Sequence, residues 1–176
     1  MAMTQWAIDP THSEIGFKVK HMMFTNVSGK FEKFEAKAES EGEDFAEAKF
    51  YFSADTESVS TGNADRDKHL RSEDFFHAEH FPKLTFTSTS MKKISDHEFE
   101  LTGELSVHGV TKPITLKVEY GGTMQDPWGN TKAGFTLEGK MNRKEWGLNW
   151  NAALEAGGVL VSEEVRLNID VQLVKQ

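Results

Sequence analysis

The chain has 176 residues, a length that suits one domain over 1–176 with a core of its own. Its 28 Asp and Glu outnumber 20 Lys and Arg, for a net charge of −8, which makes nucleic acid and membrane surfaces poor general partners. There is no cysteine, so disulfides, thiolate metal sites and cysteine nucleophiles are excluded.

The opening Met1-Ala2-Met3-Thr4-Gln5-Trp6 has no basic n-region and no apolar h-region. A cytoplasmic location follows as the expectation, unless a signal was removed upstream. No stretch approaches the roughly 20 apolar residues of a membrane-spanning helix, so stable membrane insertion is not expected. Asp9, His12 and Ser13 suggest a triad, but neighbouring strand residues point to opposite faces and cannot meet. A turn held by hydrogen bonds is the expectation there.

Period-two alternation then dominates, the mark of half-buried strands. Ile15, Phe17 and Val19 alternate with Lys18 and Lys20. His21 continues the inward phase, and either meets a ligand head group or bonds a neighbouring carbonyl. Phe31 and Phe34 fall on opposite phases, which predicts a bulge or bend within 27–38. The acidic run Glu39, Glu41, Glu43, Asp44, Glu47 reads as a solvated turn. Ala48, Phe50 and Phe52 form the next apolar face.

Residues 63 to about 72 break the pattern and suit a short helix. Asn63 caps it, Asp65 and Asp67 favour its first turn, and Asp67 and Arg71 are four apart. Phe75, Phe76 and Phe81 follow, ending at Pro82. The reading is a helix plus an aromatic loop, about 63–82, lying over one barrel end. Those three rings are lid candidates, and Arg66, Asp67 and His69 are expected to lock the helix to the rim. His69, Glu73, Asp74, His77 and His80 form the densest ligand-type cluster, but solvated loop histidines are expected rather than a metal site.

Strands resume with Leu84 and Phe86, in a run that reaches Met91, then Phe99, Leu101, Leu105 and Val107. Ile114, Leu116, Val118 and Tyr120 follow Pro113. Gly121-Gly122 and residues 126–130 read as turns. Phe135, Leu137 and Met141 form another face, and Gly157-Gly158 opens the last strand. There Val165, Leu167, Ile169, Val171 and Leu173 alternate without a break. Gly103 and Gly139 lie in the inward phase, marking either space inside or strand bending at a barrel corner.

About eight strands, each with one apolar face, define an all-β fold. Closure removes the exposed edges, so the expectation is an eight-stranded antiparallel lipocalin-like barrel with one short helix. Such a barrel is just filled by side chains or holds one small ligand. Nucleophile-elbow, metalloprotease, Walker and dinucleotide motifs are all absent, so no catalytic residue is assigned.

Five ordered blocks carry a family resemblance. They are residues 6–13 continuing to Phe17 and His21, residues 63–76 with 81–86, residues 105–112, residues 143–148 and residues 165–169. In these blocks the chain resembles the YceI-like, polyisoprenoid-binding family over essentially its whole length. The resemblance implies a lipocalin-like barrel with a long apolar pore that holds an isoprenoid-type or fatty chain, and a homodimer. Many members carry a signal peptide and act in the periplasm, and here this chain departs. It departs again at His77 and His80, where an aspartate and an aromatic-type residue are expected.

Together with the Phe-rich inward faces, the resemblance makes Phe17, Val19, Phe52, Phe86, Leu101, Leu105, Leu116, Phe135, Leu137, Met141 and Ile169 candidate wall residues. The expected function is to bind, sequester or carry a long apolar lipid (polyisoprenoid, isoprenoid quinone or fatty-acid-like), without metal or other cofactor. The alternative is a stress-response or interaction protein with a filled barrel.

Overall fold

The computed structural model describes residues 3–22, 24–151 and 160–176. Its strands are β1 (Met3–Ile8), β2 (Glu14–His21), β3 (Thr25–Phe31), β4 (Phe34–Glu41), β5 (Asp44–Asp55), β6 (Val59–Ser60), β7 (Lys83–Lys93), β8 (Glu98–Val107), β9 (Val110–Gln125), β10 (Thr131–Asn142) and β11 (Val161–Lys175). One helix, α1 (Ala64–Arg71), lies between β6 and β7. All pairings are antiparallel, and β11 closes the ring onto β1 and β2.

Eight staves make the barrel because three of them are bent. A 3-10 turn at Pro10–His12 joins β1 to β2, where Pro10 has no N–H to give a ladder and Asp9 caps the turn by accepting from the Thr11 N–H at 3.1 Å. Glu32 and Lys33 join β3 to β4, which is the bend that the opposed phases of Phe31 and Phe34 predict. Thr56–Ser58 joins β5 to β6, and β6 pairs back onto β3. On one side the last strand is regular: β10 and β11 pair without interruption from Lys132↔Val174 to Asn142↔Glu164, whereas its pairing with β2 shifts register between Val161 and Val165. The Gly157-Gly158 turn lies outside the described residues.

One end of the barrel is solid. Phe45 packs on Trp6 (ring centroids 5.2 Å), Phe135 (4.8 Å) and Tyr120 (5.5 Å), and Tyr120 also meets Phe99. Phe45 escapes the alternation of Ala48, Phe50 and Phe52 because the register slips between Glu39 and Glu41 and Glu47 takes a positive φ of 62°. The buried Trp6 indole donates to Ser40 Oγ at 2.8 Å, fastening β1 to β4.

Gly103 and Gly139 mark neither open space nor a simple corner. A Cβ on Gly103 would collide with the Phe86 ring and the Thr87 carbonyl, and one on Gly139 with the Leu116 side chain. Gly29 is covered by the Phe17 ring in the same way. Each glycine lets a neighbouring side chain lie flat along the wall, which keeps that side chain out of the barrel axis.

Candidate functional site: an apolar lumen with a polar mouth

Above the aromatic floor the barrel is hollow, with a cavity of about 610 Å³. That lies within the about 300–1,000 Å³ usual for small-molecule sites. Its wall carries Phe17 and Val19 from β2, Phe52 from β5, Phe86 from β7, Leu101 and Leu105 from β8, Leu116 from β9, Leu137 and Met141 from β10 and Ile169 from β11. Phe135 lies at its floor. Phe17, Val19, Leu137, Met141 and Ile169 point inward yet are only half-buried, because they face space rather than a packing partner.

Most polar lining groups gather at the mouth: Lys20, His21, Thr61, Asn63, Asp65, Arg66, His69 and Arg143, with Lys37 and Tyr51 apart from them on β4 and β5. The His21 ring makes no side-chain hydrogen bond to a described residue, so the carbonyl alternative is not realised among those residues. Phe75 and Phe76 line the cavity as well, and Phe76 meets Phe31 edge-on at 5.6 Å.

The helix reaches its place over the mouth through its own sequence. Asn63 Oδ1 accepts from the Arg66 N–H at 3.0 Å, the expected N-cap. Asp67 Oδ1 accepts from Thr61 N (2.8 Å) and Oγ1 (2.5 Å). Arg66 donates from Nε to Thr61 Oγ1 (2.7 Å) and from an Nη to the Thr61 carbonyl (2.8 Å). Arg66 and Asp67 therefore lock α1 to the residue after β6, and Arg66 and His69 also line the cavity. His69 Nε2 lies 2.8 Å from Asp74, and its ring stands edge-on to Trp150 at 4.6 Å.

Arg143 is the group that sequence reasoning missed. It is 3% exposed, lines the cavity and sits 5.8 Å from the Phe75 ring. It donates to the carbonyls of Ser162 (2.9 Å), Leu148 (2.6 Å) and Val161 (3.3 Å). Among the described residues no carboxylate lies within 4.0 Å of it. Burial pushes its pKa down, and the charge of Glu163 opposes that shift. A buried charge with carbonyl partners and no carboxylate in contact is a costly arrangement. The only sequence signal was Arg143's place in a resemblance block.

Phe81 departs from its expected place: it is not among the residues lining the cavity. Its ring packs on Gly109 and on His108 (4.9 Å), and its carbonyl accepts from Thr56 Oγ1 at 2.8 Å. It is a strut between the loop and the β8–β9 turn, whose His108 and Gly109 both have positive φ, as a tight hairpin requires. Gly147 lies against His108, and the Trp146 indole donates to the Leu105 carbonyl at 2.9 Å. His77 and His80 stack on each other at 5.2 Å, and His77 lies 3.7 Å from Glu73. Among the described residues no three His, Cys, Asp or Glu are grouped to hold a metal.

Asp9 and His12 do meet, at 2.9 Å, but Ser13 Oγ is engaged elsewhere, accepting from the Gln172 N–H at 3.0 Å. Lys132 Nζ lies 2.8 Å from Asp9 and, with Thr11 and His12, holds its carboxyl well below the usual carboxylate range against a smaller opposing effect of burial.

Fold and cavity together define a lipocalin-like barrel with an apolar lumen. Residues 6–173 match the YceI-like domain, and the chain belongs to that family. It is 39% identical over 165 residues to Protein YceI of Salmonella newport, covering 94% of this chain and 83% of that protein. The crystal structure of BcnA from Burkholderia cenocepacia superposes with a TM-score of 0.81 at 19% identity, covering 94% of this chain and 98% of that one. A polyisoprenoid binding domain from Saccharophagus degradans superposes with a TM-score of 0.68 at 13% identity, covering 97% and 98%. At these identities the two structures speak for the fold.

Proposed function

We propose that the protein binds and carries a long-chain apolar lipid, of polyisoprenoid, isoprenoid-quinone or fatty-acid type, with the tail in the lumen and a polar end at the mouth. The observation that carries this reading is a set of inward apolar side chains, Phe17, Val19, Leu137, Met141 and Ile169, left half-buried around a cavity of about 610 Å³. An apolar cavity repels water and accepts hydrocarbon. Each methylene that enters contributes about 0.8 kcal/mol, set against the cost of ordering the tail. The polar groups at the mouth suit the hydrated end of an amphiphile. Membership of the YceI-like family and the fold shared with a polyisoprenoid binding domain support the same ligand class.

Organic extraction of the purified protein followed by mass spectrometry tests the proposal. One long-chain lipid per chain is the expected result. Recovery of none, together with failure of every long-chain compound to displace an apolar fluorophore, would overturn it.

A further inference from the structure

The chain is acidic overall, yet one row across its outer face is basic, set between Glu14, Asp170 and Glu138 on one side and Glu164 on the other. On the solvent side of the barrel Lys140 stands opposite Arg166, and Arg166 opposite Lys18, across three adjacent strands. Lys30 lies one row along, opposite Gly16. All four are exposed. Like charges in register destabilise a sheet, so folding gives no reason for this row. Glu164 offers Lys140 and Arg166 only distant contacts, at 3.9 and 3.7 Å. Among the described residues Lys18 and Lys30 have no carboxylate within 4.0 Å.

The basic row leads to an apolar tip. The β2–β3 turn holds out Phe24, 83% exposed, and Met22, 42% exposed. Met22 N–H donates to the Leu160 carbonyl at 2.7 Å, and Leu160 lines the cavity, so the tip stands beside the mouth. The closed end has exposed apolar groups too, Trp128 (83%) and Met124 (75%), but in acidic surroundings: Asp126 beside them, and Glu41, Glu43 and Asp44 at the β4–β5 turn.

We propose that the outer face of the β2–β3 hairpin, with the neighbouring stretches of β10 and β11, docks on an anionic lipid bilayer and brings the cavity mouth to that surface. Cations hold to the headgroups while Phe24 and Met22 enter the interfacial zone. Charges act over about 8–10 Å at physiological salt, so the local row governs contact although the whole chain is negative. The acidic closed end is repelled and turns the mouth toward the bilayer. Only the role in lipid transfer rests on the proposed function; the docking does not.

Co-sedimentation with vesicles tests it, using phosphatidylcholine alone and an equimolar mixture with phosphatidylglycerol. The protein is expected to bind the anionic vesicles, to release at high salt and to ignore the neutral ones. The variant K18Q/K30Q/R166Q, which removes three of the four basic groups and touches no lumen residue, should keep its melting temperature and bind about a hundredfold more weakly. Phe24→Ser should weaken binding several-fold, and Trp128→Ser should leave it unchanged. Equal binding to both vesicle types, no binding, an unaffected triple variant, or tighter binding to a DNA duplex or an acidic peptide would each overturn the proposal. Displacement of an apolar fluorophore from the vesicle-free protein reads the lumen separately. Loss of that signal with vesicle binding intact would contradict the lipid-carrier function and leave the docking surface standing.

Discussion

Single residues set the most local consequences. Asp9 is held ionised by Lys132, Thr11 and His12, so its folded pKa lies below its unfolded value of about 3.9. The stability it contributes is complete above that value and is lost as pH falls through the folded pKa. Asp9→Asn should therefore lower stability at pH 7 by about 1–3 kcal/mol and flatten the acid limb of the stability curve below about pH 4. Urea unfolding at several pH values measures both effects; an unchanged acid limb would count against the assignment. The glycines divide in a similar way. Gly103→Ala must displace Phe86 or the Thr87 carbonyl and should cost about 1–3 kcal/mol, whereas Gly134, with nothing within 4 Å of its would-be Cβ, should accept alanine without loss. Equal effects at the two positions would contradict the view that Gly103 seats the Phe86 ring. The N-cap at Asn63 was readable because capping is a local rule. Phe45 and Arg143 were not, since a bulge hid the phase of one and the other's partners lie five to nineteen residues away in sequence.

At the scale of elements, α1 is a strap tied down at Thr61. Asp67→Ala removes two of the four hydrogen bonds that tie α1 to that residue, leaving the two from Arg66, while β1–β11 keep their ladders. The variant should be cleaved sooner by protease within 61–82, and an apolar fluorophore should leave it several-fold faster, with the barrel's melting temperature nearly unchanged. A collapse of the melting temperature would mean that α1 is part of the barrel's core stability; no change in either rate would mean it does not cover the mouth. The existence and place of the helix, and the bend between Phe31 and Phe34, were legible because each breaks a period-two pattern. The position of Phe81 was not. Sequence proximity grouped it with Phe75 and Phe76, but the contacts that draw its ring away, Gly109 and His108, belong to a distant hairpin.

For the whole molecule the question was whether the interior is a pore or a core, and the barrel is both. Phe45, Tyr120 and Phe99 make one end solid, and the lumen above Phe135 is open. Alternation identifies which residues face inward, and closure of eight such strands follows from the need to bury edges. It does not report how far side chains reach toward the axis, which here depends on rings lying flat over Gly29 and Gly103. A volume-filling change should separate fold from function: Leu137→Trp places a large ring into existing space, so the barrel should fold while tail uptake falls at least tenfold.

Calorimetric titration with a homologous series of long-chain alcohols tests the central claim most directly. One-to-one binding is predicted, with affinity rising about fourfold per added methylene, the equivalent of 0.8 kcal/mol, until the lumen is full and the gain levels off. Affinity that does not depend on chain length, or no binding at any length, would contradict an apolar lumen built to hold a tail.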